Sequence, residues 1–146
     1  MAQVARDVMT ADPARCSGQT TLDEVAKLMS HNDCGAIPIV DTADQPIGVV
    51  TDRDIVCRVV AESKNPSAHT AESCMSRPVV TVQADAPLDE VLFTMETHQI
   101  RRVPVVDRDG CCVGIIAQAD VARATPEREV GHLVQEVSRE AVEGPR

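Results

Sequence analysis

The chain has 146 residues, 43% hydrophobic and 25% charged, which is typical of one globular domain or of two small units sharing a core. Its net charge of −9, single phenylalanine and lack of tryptophan or tyrosine exclude a nucleic-acid surface that attracts phosphates or stacks bases. The apolar runs are far shorter than the roughly 20 residues of a membrane span, and the first residues lack the apolar core of a secretory signal. We therefore expect a cytoplasmic protein that binds neither nucleic acid nor membrane.

Two copies of one pattern follow each other along the chain. A shift of 66 residues places Met9 on Met75, and the same offset aligns three further motifs without a gap. These are LDEV at 22–25 with 88–91, AIPIVD with RVPVVD at 36–41 and 102–107, and GVVTDRD with GIIAQAD at 48–54 and 114–120. Because the prolines and glycines keep the offset, the chain is a tandem repeat.

Each copy predicts the element order β-α-β-β-α. A short extended run precedes a helix whose apolar residues have helical spacing, at 22, 25, 26 and 29 in the first copy. Thr21 and Glu24 have the spacing of a capping box at its start. Two strands joined by a turn follow, at 37–40 and 47–51, or 103–106 and 112–116 in the second copy. The last helix places Ile55, Val56 and Val59 on one side.

The predicted fold class is α+β (α/β), with two repeats packed sheet to sheet about a pseudo-twofold axis. We place the first repeat at 1–62, a polar linker at 63–73, the second repeat at 74–125 and an amphipathic C-terminal helix with its tail at 126–146. One repeat alone buries little apolar surface, which favours a shared core. The C-terminal helix has an apolar stripe that either folds back on the repeats or meets a second chain.

The cysteine pattern favours thiols over disulfides or a metal site. Six cysteines without a secretory signal indicate the reducing cytosol, where they serve as small buried side chains. No C-x-x-C pair occurs and the four histidines stand singly, so we expect no metal. Cys111 and Cys112 adjoin a predicted turn, where a thiol is open to oxidation. The carboxylates of TDRD and DRDG have no histidine or cysteine partner, so we expect no catalytic residues, no cofactor and no enzyme activity.

The strand-to-helix turn at 48–54 allows two interpretations. A helix start offers unpaired N–H groups to a phosphate, and the two oxygens of Asp54 suit the hydroxyls of a ribose. Thr51 and Asp54 equally have the spacing of a capping box, which needs no ligand. In the second copy Ala117 cannot cap, so reciprocal capping would not explain Asp120.

Several further positions also have two interpretations, one as ligand contacts and one as structural residues. Arg101 and Arg102 stand where the first copy has Gly35 and Ala36, so they either clamp a phosphate or only offset the acidic surface. Asp41 and Asp107 close the hPhVD strands and are typical of turn-initiating residues. Met29 and Met95 lie on apolar stripes and indicate core packing.

The duplicated M-T/S, hPhVD and G-h-h-T-x-x-D motifs resemble the cystathionine beta-synthase (CBS) domain pair, or Bateman module, over about residues 4–125. TDRDIV, HQIRRVPVVD and ADVAR are most similar to the small stand-alone bacterial pairs. The resemblance implies a non-catalytic sensor that binds AMP, ADP, ATP, NAD or S-adenosylmethionine between the copies, forms a homodimer and signals to an unknown effector protein. The alternative is a ligand-free scaffold with the same fold.

The resemblance also implies two ligand sites. The first comprises Thr10, Ala11, Asp12, Pro13, Ala14, Ala36, Ile37, Pro38, Thr51, Arg53 and Asp54. The second comprises Ser76, Arg77, Pro78, Val79, Arg101, Arg102, Val103, Pro104, Ala117 and Asp120. We expect the first site to be the better one, because the second has lost the threonine hydroxyl.

Overall fold

The computed structural model describes residues 3–77 and 79–124, so the predicted C-terminal helix at 126–146 and the site residue Pro78 lie outside the described residues. The helices are α1 Ala5–Val8, α2 Leu22–Asn32, α3 Asp52–Ile55, α4 Ala71–Cys74, α5 Leu88–His98 and α6 Gln118–Ala124. The strands are β1 Thr10–Ala11, β2 Cys16–Ser17, β3 Ala36–Val40, β4 Pro46–Thr51, β5 Val82–Gln83, β6 Arg102–Val106 and β7 Cys112–Ala117. No helix of this described part is long and apolar enough to cross a membrane.

The strands form two sheets, and the predicted α+β class is confirmed. One sheet has the order β2-β3-β4, with β2 parallel and β4 antiparallel to β3. The other has the order β1-β7-β6-β5, with β5 parallel to β6 and β1 antiparallel to β7. The strands that precede the long helices, β2 and β5, are each only two residues long. They are shorter than the extended runs predicted at 14–16 and 78–82.

The chain divides into two compact units whose boundaries differ from those of the repeats. The Thr51 unit contains residues 12–77, 79 and 110–112 of the described chain, and the Asp120 unit contains residues 3–11, 80–109 and 113–124. Each unit therefore combines the body of one repeat with the leading segment of the other. We call these leading segments 3–11 and 69–77.

The two leading segments are held by matching contacts. In the Asp120 unit the Ala5 amide donates to the Ala86 carbonyl at 2.9 Å, and Thr10 pairs with Ile115. In the Thr51 unit the Ala71 amide donates to the Thr20 carbonyl at 2.7 Å, and a bridge joins Ser76 to Val49. All these positions obey the offset of 66 residues, so the exchange of leading segments is symmetric.

A methionine in each leading segment packs on a glycine of a central strand. A Cβ atom at Gly48 would overlap the Met75 side chain, and one at Gly114 would overlap the Met9 side chain. Gly48 and Gly114 therefore permit the close approach of the exchanged segment to the sheet.

Each unit has its own hydrophobic core, built from equivalent positions of the two repeats. Leu22, Val25 and Ile37 are fully buried in the Thr51 unit, and Val91, Met95 and Val103 are fully buried in the Asp120 unit. Packing roles for Met29 and Met95 are confirmed. Residues 71–73, predicted as part of a linker, belong to α4, whose Ala71 is also fully buried.

Two local predictions are wrong. Thr21 is the N-cap residue of α2 but makes no capping hydrogen bond with its side chain; instead its hydroxyl lowers the pKa of Asp23, and Glu24 pairs with Lys27. Val56 does not share the buried side of Val59, because a π-helical segment, Val56–Val60, follows α3. Its wider turn changes the angular spacing of the side chains, and Val56 is 57% exposed.

Candidate functional site

The turn from β4 into α3 is a closed capping box. The Asp54 amide donates to Thr51 Oγ1 at 3.1 Å, and the Thr51 amide donates to Asp54 Oδ2 at 2.9 Å. The turn adjoins β3, where Ala36 pairs with Thr51 and the Asp52 amide donates to the Gly35 carbonyl. The capping interpretation of Thr51 and Asp54 is therefore confirmed, and it leaves only part of Asp54 for a ligand.

The prediction of unpaired N–H groups at this turn is wrong. The amide of Asp52 is bound by Gly35, that of Arg53 by the Asp52 carboxylate at 2.8 Å, and that of Asp54 by Thr51. One backbone carbonyl and two short polar side chains supply the acceptors that the helix start lacks. A phosphate at this helix start would have to displace one of these acceptors.

The second oxygen of Asp54 is an open polar atom of the turn. Asp54 Oδ1 lies 3.9 Å from Arg58 Nε, an ion pair too long for a hydrogen bond, and the carboxylate is 15% exposed. Arg58 is held away because its Nη1 donates to the Cys74 carbonyl at 3.1 Å, at the end of α4. Oδ1 therefore keeps its capacity to accept a hydroxyl.

The equivalent acid in the Asp120 unit has both oxygens occupied. Asp120 Oδ2 accepts from the Ala117 amide at 2.7 Å, and Oδ1 pairs with Arg123 Nη2 at 2.6 Å. Half of the capping box thus survives without the threonine: reciprocal capping is absent, as expected, but Asp120 still accepts from the backbone at the start of the turn. The Gln118 amide donates to the Arg101 carbonyl at 2.8 Å, as Asp52 does to Gly35.

A surface cleft of about 440 Å³ lies beside Asp120 in the same unit. Its lining residues are Gln3, Asp7, Val8, Asp120, Arg123 and Ala124. Val8 and Ala124 occupy the places that Cys74 and Arg58 hold in the other unit, so the cleft is lined by a short alanine where the other unit has an arginine. The sequence analysis did not identify Arg58 and Arg123. They follow Asp54 and Asp120 by four and three residues, a spacing that indicates an ion pair on a helix.

The structure distributes the predicted site residues over both units. In the first predicted site Thr10 and Ala11 belong to the Asp120 unit, on β7 of the second repeat, and the other nine belong to the Thr51 unit. In the second site Ser76, Arg77 and Val79 belong to the Thr51 unit, while Arg101, Arg102, Val103, Pro104, Ala117 and Asp120 belong to the Asp120 unit.

Within each unit, the predicted residues differ in how much they expose. Ile37 and Val103 are fully buried core residues, so neither has surface to offer a ligand. Arg53 and Arg101 are exposed, and Arg102 is half-buried. Pro13 and Ala14 are half-buried in the segment fixed by Arg15, which donates to the Pro13 carbonyl and pairs with Asp44 at 2.9 Å.

The two aspartates that close the hPhVD strands are turn residues, as predicted. Asp41 Oδ1 accepts from the amides of Ala43 and Gln45, and Asp107 Oδ1 accepts from the amide of Asp109.

Among residues 3–77 and 79–124, no three histidine, cysteine or acidic side chains group together as metal ligands. Burial, and then the nearby Asp54 carboxylate, raises the pKa of the Cys74 thiol.

Residues 5–61 and 71–127 each match the family model of the CBS domain. The chain belongs to the CBS domain family. The resemblance drawn from the duplicated motifs is therefore confirmed, and CBS-pair structures share this fold.

Named relatives include stand-alone pairs of this size. Hypoxic response protein 1 of Mycobacterium tuberculosis is 38% identical over 133 residues, 91% of this chain and 92% of that protein. The crystal structure of Hypoxic Response Protein I with two coordinated zinc ions is 39% identical, with a TM-score of 0.76 over 85% of this chain and 100% of that chain. Uncharacterized protein MK0525 of Methanopyrus kandleri is 38% identical over 83% of this chain, which spans 59% of that protein.

One solved relative carries adenosine compounds. The CBS domain pair of protein MJ0100 was crystallised in complex with 5′-methylthioadenosine and S-adenosyl-L-methionine. It is 30% identical to this chain, with a TM-score of 0.75 over 84% of this chain and 95% of that chain.

Proposed function

We propose that this CBS pair is a non-catalytic regulatory module that binds an adenosine-containing ligand at the Thr51–Asp54 turn. The observation that carries the proposal is the Asp54 carboxylate, which is fixed by one oxygen and keeps the other open at 3.9 Å from its nearest cation. A fixed carboxylate is a suitable acceptor for ribose hydroxyls. The ligands of the MJ0100 pair support adenosine as the common part.

The remaining parts of the ligand would be held by weaker chemistry. The chain offers no tryptophan or tyrosine, so the adenine would lie on aliphatic side chains such as Pro13 and Ala14. Since the first amides of α3 are paired, a phosphate would rely on the exposed Arg53. AMP, ADP, ATP, NAD and S-adenosylmethionine share the adenosine that this site would recognise.

The ligand would act by shifting an equilibrium between two arrangements of the protein. It can do so only through different affinities for the two arrangements. We propose that the module works in the cytoplasm as a homodimer, without a cofactor, and signals to an effector protein. A net charge of −9 is consistent with a partner other than nucleic acid or an anionic membrane.

A ligand-free scaffold is the second candidate, and two observations favour it. The amides at the Thr51 turn already have acceptors within the protein, so the turn is satisfied without a ligand. Val56, Val60 and Phe93 are large apolar side chains that are more than half exposed, as expected of surfaces that meet a protein partner.

Calorimetric titration with AMP, ADP, ATP, NAD and S-adenosylmethionine separates the two candidates. Asp54→Asn is the sharp variant, because the asparagine oxygen still accepts from the Thr51 amide while the negative charge is lost. We expect Asp54→Asn to weaken binding about tenfold or more, since hydrogen bonds to charged groups are the strong ones, and to leave the melting temperature nearly unchanged.

Asp54→Ala is the matched control for the capping role. It removes the cap as well as the charge, so it should weaken binding and also lower stability by about 1 kcal/mol. Absence of binding heat and of a thermal shift with all five compounds would leave the scaffold as the function. Wild-type binding that Asp54→Asn does not weaken would mean that the ligand lies elsewhere.

A further inference from the structure

We infer that Arg123 blocks the second ligand position by occupying the carboxylate oxygen that a ribose would need. This inference rests on the proposed function and goes beyond it, because it names the residue that makes the two sites unequal. It also predicts that removing one side chain opens the second position.

The two acids have equivalent positions but different partners at one oxygen. Asp54 and Asp120 are equivalent and each gives Oδ2 to the backbone at the start of the turn. They differ in Oδ1, which lies 3.9 Å from Arg58 Nε in one unit and 2.6 Å from Arg123 Nη2 in the other. A hydroxyl would find Oδ1 of Asp120 already bound to a cation.

The difference at Oδ1 follows from the positions of the two arginines. Arg58 follows its acid by four residues and is anchored by the Cys74 carbonyl, which holds its guanidinium off the carboxylate. Arg123 follows its acid by three residues, where the first repeat has Cys57, and its guanidinium folds directly onto Asp120. Ala124 stands at the place of Arg58 and is too short to compete for the acid.

An open space adjoins the ion pair of Asp120 and Arg123. Asp120 and Arg123 both line the cleft of about 440 Å³, so the blocked carboxylate faces an open volume. Arg123 is 73% exposed, and ion pairs with such an exposed partner are weak enough to break. The acid is therefore accessible to a small ligand once the guanidinium leaves.

The test isolates the second position by working in the Asp54→Asn background and titrating adenosine and AMP. In that background we expect Arg123→Ala to raise the affinity for both compounds about twofold to fivefold, the worth of an exposed ion pair. Adding Asp120→Asn should remove the gain. Arg123→Lys should give a smaller gain than Arg123→Ala, because lysine keeps the charge but lacks the planar fork.

Two substitutions in the first repeat serve as matched controls. Arg58→Ala should leave the affinity of the first site unchanged, since Arg58 is already held off the acid. Cys57→Arg should weaken the first site by a factor similar to the gain at the second, because it places an arginine three residues after Asp54. Melting temperatures should change little, since Cys57 and Arg123 are both exposed.

Three results overturn the inference. If AMP binds the first site and Arg123→Ala leaves the second unchanged, Arg123 is no block, while the proposed function stands. If Arg123→Ala weakens AMP but not adenosine, Arg123 is a phosphate ligand. If neither wild type nor any variant binds either compound, the inference falls together with the proposed function.

Discussion

The two strand-to-helix turns have equivalent backbone hydrogen bonds but differ at the residues that surround their acids. At the Thr51 turn a hydroxyl completes the capping box and an anchored arginine stays off Asp54. At the Ala117 turn the hydroxyl is missing and Arg123 pairs directly with Asp120. The comparison teaches that the acid is kept for the helix start in both copies, while its neighbours decide whether it also has an oxygen for a ligand.

The two units also differ in their thiols. All six cysteines belong to the Thr51 unit, including Cys111 and Cys112, which join it through the contact of the Cys112 amide with the Asp44 carbonyl at 2.8 Å. Cys74 is buried as predicted, and Cys57 is exposed. Cys112 is also buried, so the expectation that its thiol is open to oxidation is wrong. Thiol chemistry therefore reports on one unit alone.

The largest expected effect tests the exchange of leading segments. Ala5 and Ala71 are equivalent and fully buried, so an aspartate at either position would bury an unpaired charge and cost on the order of 3–5 kcal/mol. Hydrogen exchange should show Ala5→Asp exposing the amides of 80–109 and Ala71→Asp exposing those of 16–60. Loss of protection within the same repeat as the substitution would contradict the exchange.

The next effect compares the two methionine–glycine contacts. Gly48→Ala and Gly114→Ala each force a methyl group into a methionine, and overpacking costs about 1–3 kcal/mol. Gly48→Ala should cost more in a denaturant titration, because Met75 is buried while Met9 is only partly so. Adding Met75→Ala should relieve the overlap, and a double variant that is simply additive would show that the contact is not the cause.

A smaller effect concerns the cap that distinguishes the two turns. Thr51→Ala removes the hydroxyl that accepts from Asp54 and should lower stability by about 0.5–2 kcal/mol. Ala117→Thr supplies a hydroxyl at the equivalent place and should raise stability. Thermal melting of both variants measures the two effects. If both substitutions raised the melting temperature, or both lowered it, the result would be inconsistent with a capping role.

The smallest effect is a dependence of stability on alkaline pH. Burial raises the pKa of the Cys16 and Cys74 thiols, so the unfolded chain loses these protons at lower pH than the folded protein. Their stabilising contribution is complete below the ordinary thiol pKa of about 8.5 and is lost as the pH rises through the raised value. Denaturant titrations at neutral and alkaline pH should show a smaller difference for the Cys16→Ala, Cys74→Ala double variant than for wild type.

Much of the fold could be predicted because the two copies report the same periodicity twice. The offset located β3, β4, β6 and β7 to within one residue at each end and identified Met29 and Met95 as core residues. The α2 cap failed because Thr21 and Glu24 had other partners, Asp23 and Lys27, at equally short range. Sequence spacing does not decide between such neighbours.

The repeat pattern could not predict the exchange of leading segments. Aligning one copy with the other shows that Thr10 corresponds to Ser76, but it does not show which copy either residue joins. The same limit applies to the candidate site: spacing selected Asp54 and Asp120, while the occupancy of their second oxygens depends on where Arg58 and Arg123 direct their guanidinium groups. An arginine can serve partners at several distances, so its choice needs the three-dimensional arrangement.

The exchanged segments have a consequence for synthesis on the ribosome. The N-terminal segment is made first, yet Ala5 and Thr10 find their partners at Ala86 and Ile115. The Thr51 unit also depends on a residue that is made late, because its Asp44 carbonyl accepts a hydrogen bond from the Cys112 amide. Neither unit is complete until almost the whole described chain has emerged, and domains otherwise tend to fold as they emerge. A gene cut between the two repeats would therefore encode two fragments, each without a segment that completes its unit.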